Sequence, residues 1–323
     1  MCSYPKLPEE YEPQQDPGDG LPSHEVAQLK GHEGPVFAVR YNQQGTYCVT
    51  GGKDRNICLW NPLRGILVKK YSGGHGYEVR DVCVAGDNSK FASCGGDKQV
   101  FIWDVSTARF IRKLKGHSST INAVTYAAND DCLVTAGYDQ CVKIWDCKSR
   151  SIDAMQTMKA FKDSVTSVVV RNAEIIACSV DGTVRRFDMR MGRMYVDELH
   201  QPVTCCAVSH DGQCVLAACL DSTLRLLDRS TGELLATYQG HVHESVKMDA
   251  CLTPSDAHVV GSSETGEVLY WDLVEGNVVK KIGAHKGVVC SLAMHPQGSH
   301  LLTSALDGVV KVWAAQPPRT AVG

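Results

Sequence analysis

The 323-residue sequence lacks most features that would place it in a specialised class of proteins. No apolar run approaches the roughly 18 residues of a membrane span, and no segment has the period of an amphipathic helix. The 33 Lys and Arg nearly balance the 36 Asp and Glu, so neither direct nucleic-acid binding nor membrane adsorption is expected. The composition predicts an ordinary globular protein.

Cysteine is abundant, but its placement argues against both disulfides and zinc. The 15 cysteines are an odd number, no two have C-x-x-C spacing, and most lie in apolar runs such as "YCVTGG" and "IIACSV". Such thiols behave as small buried hydrophobes in a reducing compartment. We therefore predict free cysteines and a location in the cytoplasm and nucleus.

The two ends of the chain differ in composition from the rest. Residues 1–23 are acidic, hold five prolines and contain no apolar run of signal-peptide type. They are predicted to form a disordered acidic, proline-rich tail, and residues 315–323 a flexible C-terminal tail. The folded domain is predicted to span residues 24–314.

One unit recurs seven times between these tails. It is clear in "GGKDRNICLW", "CGGDKQVFIWD" and "AGYDQCVKIWD", and weaker in "SVDGTVRRFD", "CLDSTLRLLD", "SSETGEVLYWD" and "ALDGVVKVW". The Trp or its replacement recurs at intervals of 43, 42, 42, 40, 44 and 42 residues, at Trp60, Trp103, Trp145, Phe187, Leu227, Trp271 and Trp313. This period, with its Gly-His to Trp-Asp frame, resembles WD40 repeats.

Each unit has the pattern of four short strands. In the first, turn signals separate "PVFAVRY", "TYCVT", "ICLW" and "ILVKKY". A four-stranded blade buries both faces only between two neighbours, so we predict an all-β, seven-bladed β-propeller. The seventh unit lacks an outer strand and "HEVAQLK", residues 24–30, belongs to no unit; we predict that this segment pairs in the last blade and closes the ring.

Four units share a polar set with fixed spacing: a His, a Ser or Thr 18 residues later, an Asp at 22 and a Trp at 28. The sets are His32, Thr50, Asp54 and Trp60 in unit one; His75, Ser93, Asp97 and Trp103 in unit two; His117, Thr135, Asp139 and Trp145 in unit three; and His285, Thr303, Asp307 and Trp313 in unit seven. One such set alone would suggest nucleophilic catalysis, but catalysis needs it once and this set follows the blade period. WD40 proteins are similar in using it as a structural tetrad, so no enzyme activity, cofactor or metal is predicted.

Units four and five keep the Asp of the tetrad but lose the hydroxyl and the Trp. The residues at these positions are Asp181, Ala177 and Phe187 in unit four, and Asp221, Ala217 and Leu227 in unit five. Because a satisfied polar network rigidifies a fold, we expect these blades to be less stable than the first three.

Unit six departs in another way. It keeps His241 and Trp271, but at a spacing of 30 residues and with Thr265 in the Asp position, so its blade is expected to be less stable too. His241 and His243 have the spacing of a metal clip, but an exposed loop is the favoured interpretation.

The resemblance also predicts a binding surface. In WD40 proteins, residues three and five positions after the blade His, and the residue before the turn Asp, point to the top face around the channel. By position these are Phe37, Lys53, Glu78, Arg80, Thr120, Asn122, Tyr138, Val288 and Leu306, with Met248 and Glu264 by looser alignment. Aromatic, basic and acidic groups around one concavity suit the recognition of a protein partner.

Several segments carry a closer resemblance that the repeat pattern does not require. "LWNPLRG" followed by "YSGGHGYEVRD", with "SVDGTVRRFDMRMG" and "DSTLRLLDRSTGELLATYQGH", is similar to the mitogen-activated protein kinase organizers, a family of WD-repeat scaffolds. The resemblance implies a monomeric, non-enzymatic scaffold whose partners are components of the extracellular-signal-regulated kinase cascade, pre-mRNA splicing factors of the spliceosome, or both.

An alternative function rests on one short box in unit four. Residues 187–190, "FDMR", resemble the Trp-Asp-x-Arg box by which some propellers dock onto a cullin-type ubiquitin-ligase adaptor. In that case the protein would be a substrate receptor of a ligase. Phe187 stands where the box has Trp, which weakens the match.

Overall fold

The computed structural model describes residues 20–149 and 151–315, and within them it confirms the all-β propeller. Their 28 strands form seven antiparallel sheets of four strands, the blades. No helix in this part of the chain is long and apolar enough to cross a membrane. Most of the two predicted tails, residues 1–19 and 316–323, lies outside the described residues.

The strands of each blade follow chain order from the channel outward. Blade one holds β2 Val36–Tyr41, β3 Cys48–Gly52, β4 Ile57–Asn61 and β5 Ile66–Tyr71; blade two holds β6 Val79–Val84, β7 Lys90–Gly95, β8 Gln99–Asp104 and β9 Phe110–Lys115. Blade three holds β10 Ile121–Tyr126, β11 Cys132–Gly137, β12 Val142–Asp146 and β13 Gln156–Met158; blade four holds β14 Val165–Arg171, β15 Glu174–Ser179, β16 Thr183–Asp188 and β17 Arg193–Glu198.

The remaining three blades repeat this order, except that the last one also uses the first strand of the chain. Blade five holds β18 Val203–Val208, β19 Cys214–Cys219, β20 Thr223–Asp228 and β21 Leu234–Tyr238; blade six holds β22 Ala250–Leu252, β23 His258–Ser262, β24 Glu267–Asp272 and β25 Val278–Gly283. Blade seven holds β26 Val289–Met294, β27 His300–Ala305, β28 Val310–Ala314 and, outermost, β1 His24–Leu29.

The core lies between neighbouring blades. The second strand of a blade is buried along its length, as in β3, whereas the outer strand β5 is mostly exposed. Each contact between blades has its own apolar cluster; between blades one and two, Trp103 stacks on Phe91 with ring centroids 5.9 Å apart, and both rings contact Tyr71. Every blade therefore depends on both neighbours to bury its faces.

The ring closes through the N-terminal segment. β1 pairs antiparallel with β28, from His24 opposite Ala314 to Leu29 opposite Val310. Residues before this strand also pack: Leu21 is buried between blades six and seven, and its carbonyl accepts a hydrogen bond from Lys280 Nζ at 3.1 Å. The boundary predicted at residue 23 is thus too late, because the closing segment begins by Leu21.

Candidate functional site

The four tetrads form continuous hydrogen-bonded chains. In each, the His Nδ1 lies 2.9–3.0 Å from the Asp carboxylate, in the pairs His32 with Asp54, His75 with Asp97, His117 with Asp139, and His285 with Asp307. The Nε2 atoms of these histidines lie 2.7–2.8 Å from the tetrad hydroxyls, which belong in the same order to Thr50, Ser93, Thr135 and Thr303. Each hydroxyl also accepts the indole N–H of its tetrad at 2.8–2.9 Å, from Trp60, Trp103, Trp145 and Trp313.

The geometry of the four tetrads indicates a structural role and not a catalytic site. All these groups are satisfied when the imidazole is neutral and protonated on Nδ1. The four hydroxyls are fully buried, at 0% exposure for Thr50, Ser93, Thr135 and Thr303. A satisfied chain repeated in four blades holds one packing arrangement and leaves no tetrad group free for catalysis.

The carboxylate of each tetrad also fixes the turn around it. Asp54 accepts hydrogen bonds from the main-chain N–H groups of Glu33 and Asn56. Burial would raise the pKa of Asp54, but the hydrogen bonds from His32 and Asn56 outweigh it and hold that pKa at about 2. This carboxylate is a permanent acceptor at neutral pH.

The turns of two other tetrads are held in the same way. Asp97 accepts from the main-chain N–H groups of Gly76 and Gln99. Asp307 accepts from the main-chain N–H of Val309, and its carboxylate is the more exposed, at 23% against 8% for Asp97. The tetrad of blade seven is thus the one nearest to solvent.

Blades four and five replace the tetrad with an Arg on the third strand. Asp181 lies 3.6 Å from Arg185, whose guanidinium sits 4.9 Å above the ring of Phe161. Asp221 pairs with Arg225 at the same sequence spacing, at 2.5 Å, and Arg225 also donates to the carbonyl of Leu199. The sequence carries a signal for this substitution, an Arg four residues after each Asp, which the tetrad spacing alone does not reveal.

Blade six loses the tetrad hydroxyl altogether. Strand register places Gly261 at that position, so the Trp271 indole donates to the carbonyl of Gln239 at 2.8 Å.

Neither ring nitrogen of His241 has a partner among the described residues. His241 and His243 are both buried, so the exposed loop expected from sequence is wrong. Burial, with a smaller contribution from His243, lowers the pKa of His241 to about 4.

A β-bulge directs one residue of the inner strand toward the top of the channel in six of the blades. In six blades the pairing of the first two strands skips one residue, and the skipped residues are Phe37, Arg80, Asn122, Thr166, Thr204 and Cys290. Bulges increase local twist and redirect a side chain. All six side chains line a cavity of about 510 Å³, the top cavity, and no tetrad residue does.

Five residues of the predicted binding surface lie on the top cavity: Phe37, Arg80, Thr120, Asn122 and Tyr138. The Arg80 guanidinium lies 5.0 Å above the Phe37 ring and donates to Glu78 Oε1 at 3.0 Å. Tyr138 is 63% exposed at the rim. Aromatic and Arg side chains of this kind are typical of interface hot spots.

The other predicted surface residues stand apart from the cavity. Lys53 is exposed on the loop before the tetrad Asp54, and the half-buried Val288 and Leu306 bond to each other through the main chain at 3.0 Å. Glu78 serves as the partner of Arg80, and Glu264 accepts hydrogen bonds from a neighbouring loop. These residues frame the top face but do not line its concavity.

Met248 is a wrong assignment. It is buried at 2% exposure, and the residue that lines the cavity is Asp249. Gly261 stands at the position of Thr50, so Ala250, which pairs with Gly261, is the counterpart of Val39, which pairs with Thr50. Met248 is therefore the register counterpart of Phe37, but in blade six this side chain is buried, and its neighbours Lys247 and Asp249 line the cavity.

Charged side chains cross the channel and form the floor of the top cavity. Arg40 contacts Asp81 at 3.1 Å and Asp249 at 2.8 Å, and it donates to Ser291 Oγ at 2.7 Å. From blade six, Lys247 Nζ donates to the carbonyl of Asn122 in blade three at 2.9 Å. The repeat pattern does not indicate this network, because strand register gives Arg40 no charged counterpart in the other blades, although Asp81 and Asp249 stand at corresponding positions of blades two and six.

A second cavity of about 600 Å³ lies beneath the network, and several cysteines line it. Burial raises the pKa of the Cys251 thiol to about 12 and that of Cys205 further, so both are protonated and unreactive at neutral pH.

The prediction of free cysteines is confirmed for the 14 that the structure describes. Within residues 20–149 and 151–315, no three His, Cys, Asp or Glu side chains are placed to hold a metal ion.

The box proposed for a ligase adaptor lies on the side of blade four. Phe187 packs against Phe161 at a centroid distance of 6.1 Å, and Asp188 caps the turn by accepting from the main-chain N–H of Arg190. Arg190 is exposed, as surface arginines in turns commonly are. Neither this geometry nor any relative described below supports the ligase hypothesis.

Known proteins resemble this chain along most of its length. The family model "WD domain, G-beta repeat" matches residues 23–61, 65–104, 108–146, 194–228 and 276–314. WD repeat domain-containing protein 83 of Homo sapiens is 46% identical over 91% of this chain and 92% of its own length. The Danio rerio protein of that name is 44% identical over 92% and 94%, and a Dictyostelium discoideum homolog is 28% identical over 88% and 96%.

Proposed function

The chain belongs to the WD40-repeat family, and on that premise we propose that it is a non-enzymatic scaffold that binds protein partners at the top of its channel. The observation that carries the proposal is the top cavity, where bulges in six blades bring aromatic, basic and hydroxyl side chains together. Arg80 and Tyr138 are expected to carry most of the binding energy, because such side chains dominate hot spots.

The proposed partners are components of the extracellular-signal-regulated kinase cascade and pre-mRNA splicing factors. Segments such as "YSGGHGYEVRD" resemble the mitogen-activated protein kinase organizers, and this resemblance supports both the signalling role and the splicing role. A scaffold that serves both would occupy the cytoplasm and the nucleus and act as a monomer within larger complexes. Direct contact with nucleic acid is not part of the proposal, because the net charge is −3.

Charge reversal at one cavity residue tests the proposal. Arg80→Glu places a second acidic group beside Glu78 at the cavity wall, whereas Lys53→Glu makes the same charge change on the top face outside the cavity. Both sites are exposed, so both variants are expected to fold. Affinity purification with quantitative mass spectrometry should show one set of partners depleted at least fivefold with Arg80→Glu and retained with Lys53→Glu.

The identity of the depleted set then assigns the setting. Loss of kinases would favour the signalling role, and loss of splicing factors would favour the splicing role. An unchanged list of partners with Arg80→Glu would contradict binding at the top cavity.

A further inference from the structure

Blade six carries a loop that departs from the repeat, and the departure delivers a charge into the top cavity. The loop from His241 to Asp249 is two residues longer than its counterparts, as the spacing of 30 against 28 residues shows. It contributes Ser245, Val246 and Lys247 to the cavity lining. In a repeat protein, a feature that breaks the shared pattern in one blade is expected to have a functional role and not a structural one.

Hydrogen bonds fix this loop in place. One carboxylate oxygen of Glu264 accepts from three successive main-chain N–H groups, those of Glu244, Ser245 and Val246, at 2.9, 2.6 and 3.1 Å. His243 Nε2 lies 2.9 Å from the Val246 carbonyl, and the His243 main-chain N–H donates to Ser222 Oγ. The loop is therefore organised before any partner binds, which lowers the entropic cost of binding.

The three cations on the top cavity differ in their partners. Arg40 is shared by Asp81 and Asp249, and Arg80 pairs with Glu78. Lys247 has no carboxylate within ion-pair distance among residues 20–149 and 151–315. It donates to the Asn122 carbonyl, and an ammonium has three donors. Two of its donors thus remain for a guest.

The walls near this ammonium also favour a hydrogen-bond acceptor. Asn122, whose main-chain carbonyl accepts from Lys247, donates its side-chain amide to Ser164 Oγ at 3.0 Å, and Ser164 also lines the cavity. Ser119 and Thr120 add two more hydroxyls to the lining. A carboxylate bound here would receive charge-assisted hydrogen bonds, which are about twice as strong as neutral ones.

The balance of charge on the floor limits the guest to one negative charge. Arg40 and Lys247 stand against Asp81 and Asp249, so the floor is close to neutral as a whole. A guest is therefore selected by contact with Lys247 and not by long-range attraction, and a doubly charged phosphoryl group would meet the field of two carboxylates. A single carboxylate fits better.

We propose that the top cavity binds an acidic peptide segment of a partner, with one Asp or Glu carboxylate paired to Lys247. This inference rests on the proposed function and names the chemistry of the partner. Lys247 then acts as the residue that sets specificity, while Arg80 and Tyr138 contact the flanking residues of the peptide.

Immobilised peptide pools test the proposal. Four pools share randomised uncharged flanks and have Glu, Gln, Lys or phosphoserine fixed at the centre. The native protein should bind the Glu pool at least tenfold better than the Gln or Lys pool. Lys247→Met should abolish this preference, Lys247→Arg should keep it, and Lys90→Met, a matched loss of charge at the exposed start of β7 and away from the predicted binding surface, should leave it unchanged. Thermal melting of each variant controls for folding.

The outcomes separate the two proposals. Equal binding of the Glu and Gln pools, or stronger binding of the Lys or phosphoserine pool, would overturn the acidic-peptide inference and leave the scaffold function standing. Loss of the preference in Lys90→Met as well would also overturn it. Binding of no pool would contradict both this inference and peptide recognition at the top cavity.

Discussion

Arg40 offers the sharpest test of how the ring is held together. It bonds to Asp81 in blade two, Asp249 in blade six and Ser291 in blade seven, so one side chain of blade one ties three other blades across the closure. Arg40→Met keeps the aliphatic stem and removes the charge. Two carboxylates, each about a tenth exposed or less, would then lose the cation that they share.

The expected loss follows from the burial of the partners. Breaking a buried ion pair costs about 3–5 kcal/mol, because the remaining charge is uncompensated. Arg40 is 31% exposed to the channel, so the lower end, about 3 kcal/mol, is expected. Arg80→Met is the matched control: its exposed pair with Glu78 lies within one blade and is worth about 0.2–1 kcal/mol. Urea unfolding followed by Trp fluorescence measures both.

The dependence on pH gives this prediction a second signature. In Arg40→Met, burial of Asp249 is opposed only by Lys247 and Ser291, so the pKa of that carboxyl rises relative to the native protein, and the destabilisation caused by the substitution should shrink as the pH falls into the acid range where the native carboxyl titrates. In the native protein, burial would raise the pKa of Asp249, but Arg40 and Lys247 hold it below its ordinary value, so stability is lost only in acid below that value. Equal losses in Arg40→Met and Arg80→Met would refute the reasoning.

Ring closure, the less stable blades four to six, the buried His241 and the buried cysteines give four further expectations. Deleting residues 24–30 should lower the melting temperature sharply, and a truncation that melts like the parent would contradict closure by β1. Amide exchange should be faster in blades four to six than in blades one to three; uniform protection would count against this. Because the pKa of His241 falls from 6.5 to about 4 on folding, unfolding free energy should drop by up to about 3 kcal/mol between pH 6.5 and 4. His241→Gln should flatten that slope, and an unchanged slope would disprove the assignment. Alkylation of buried thiols such as Cys205 should proceed only as fast as unfolding; rapid labelling of the native protein would contradict their burial.

The propeller fold could be predicted because its structural residues recur at a regular interval along the sequence. A Trp interval near 42 residues and the His, hydroxyl, Asp and Trp spacing fix the blade count and the position of each turn. The free segment at residues 24–30 and the missing outer strand of the last unit pointed to the same pairing that joins β1 to β28. In each case several copies of one pattern define what a unit should contain.

The site was harder to predict, because it depends on register and on single residues. A bulge in the inner strand of six blades selects the side chain that faces the channel, and counting from the blade His reaches the cavity residues Phe37, Arg80 and Asn122 where the spacing is regular. In blade six the alignment reaches Met248, the register counterpart of Phe37, but that side chain is buried and Asp249 lines the cavity. An alignment gives the position of a residue in the blade but not the direction in which its side chain points.

Function is expected where the blades differ from one another. The tetrad recurs in four blades and can be lost, as blades four and five demonstrate with Asp–Arg pairs. Arg40 has no such copies: strand register places Cys83, Thr125 and Ala293 at its position in other blades. Lys247 likewise stands on a loop that only blade six extends. The repeat pattern requires neither charge, and a channel floor of charged side chains is costly to bury. Their presence in single copies, at the floor of the top cavity, agrees with the proposed recognition of one particular partner.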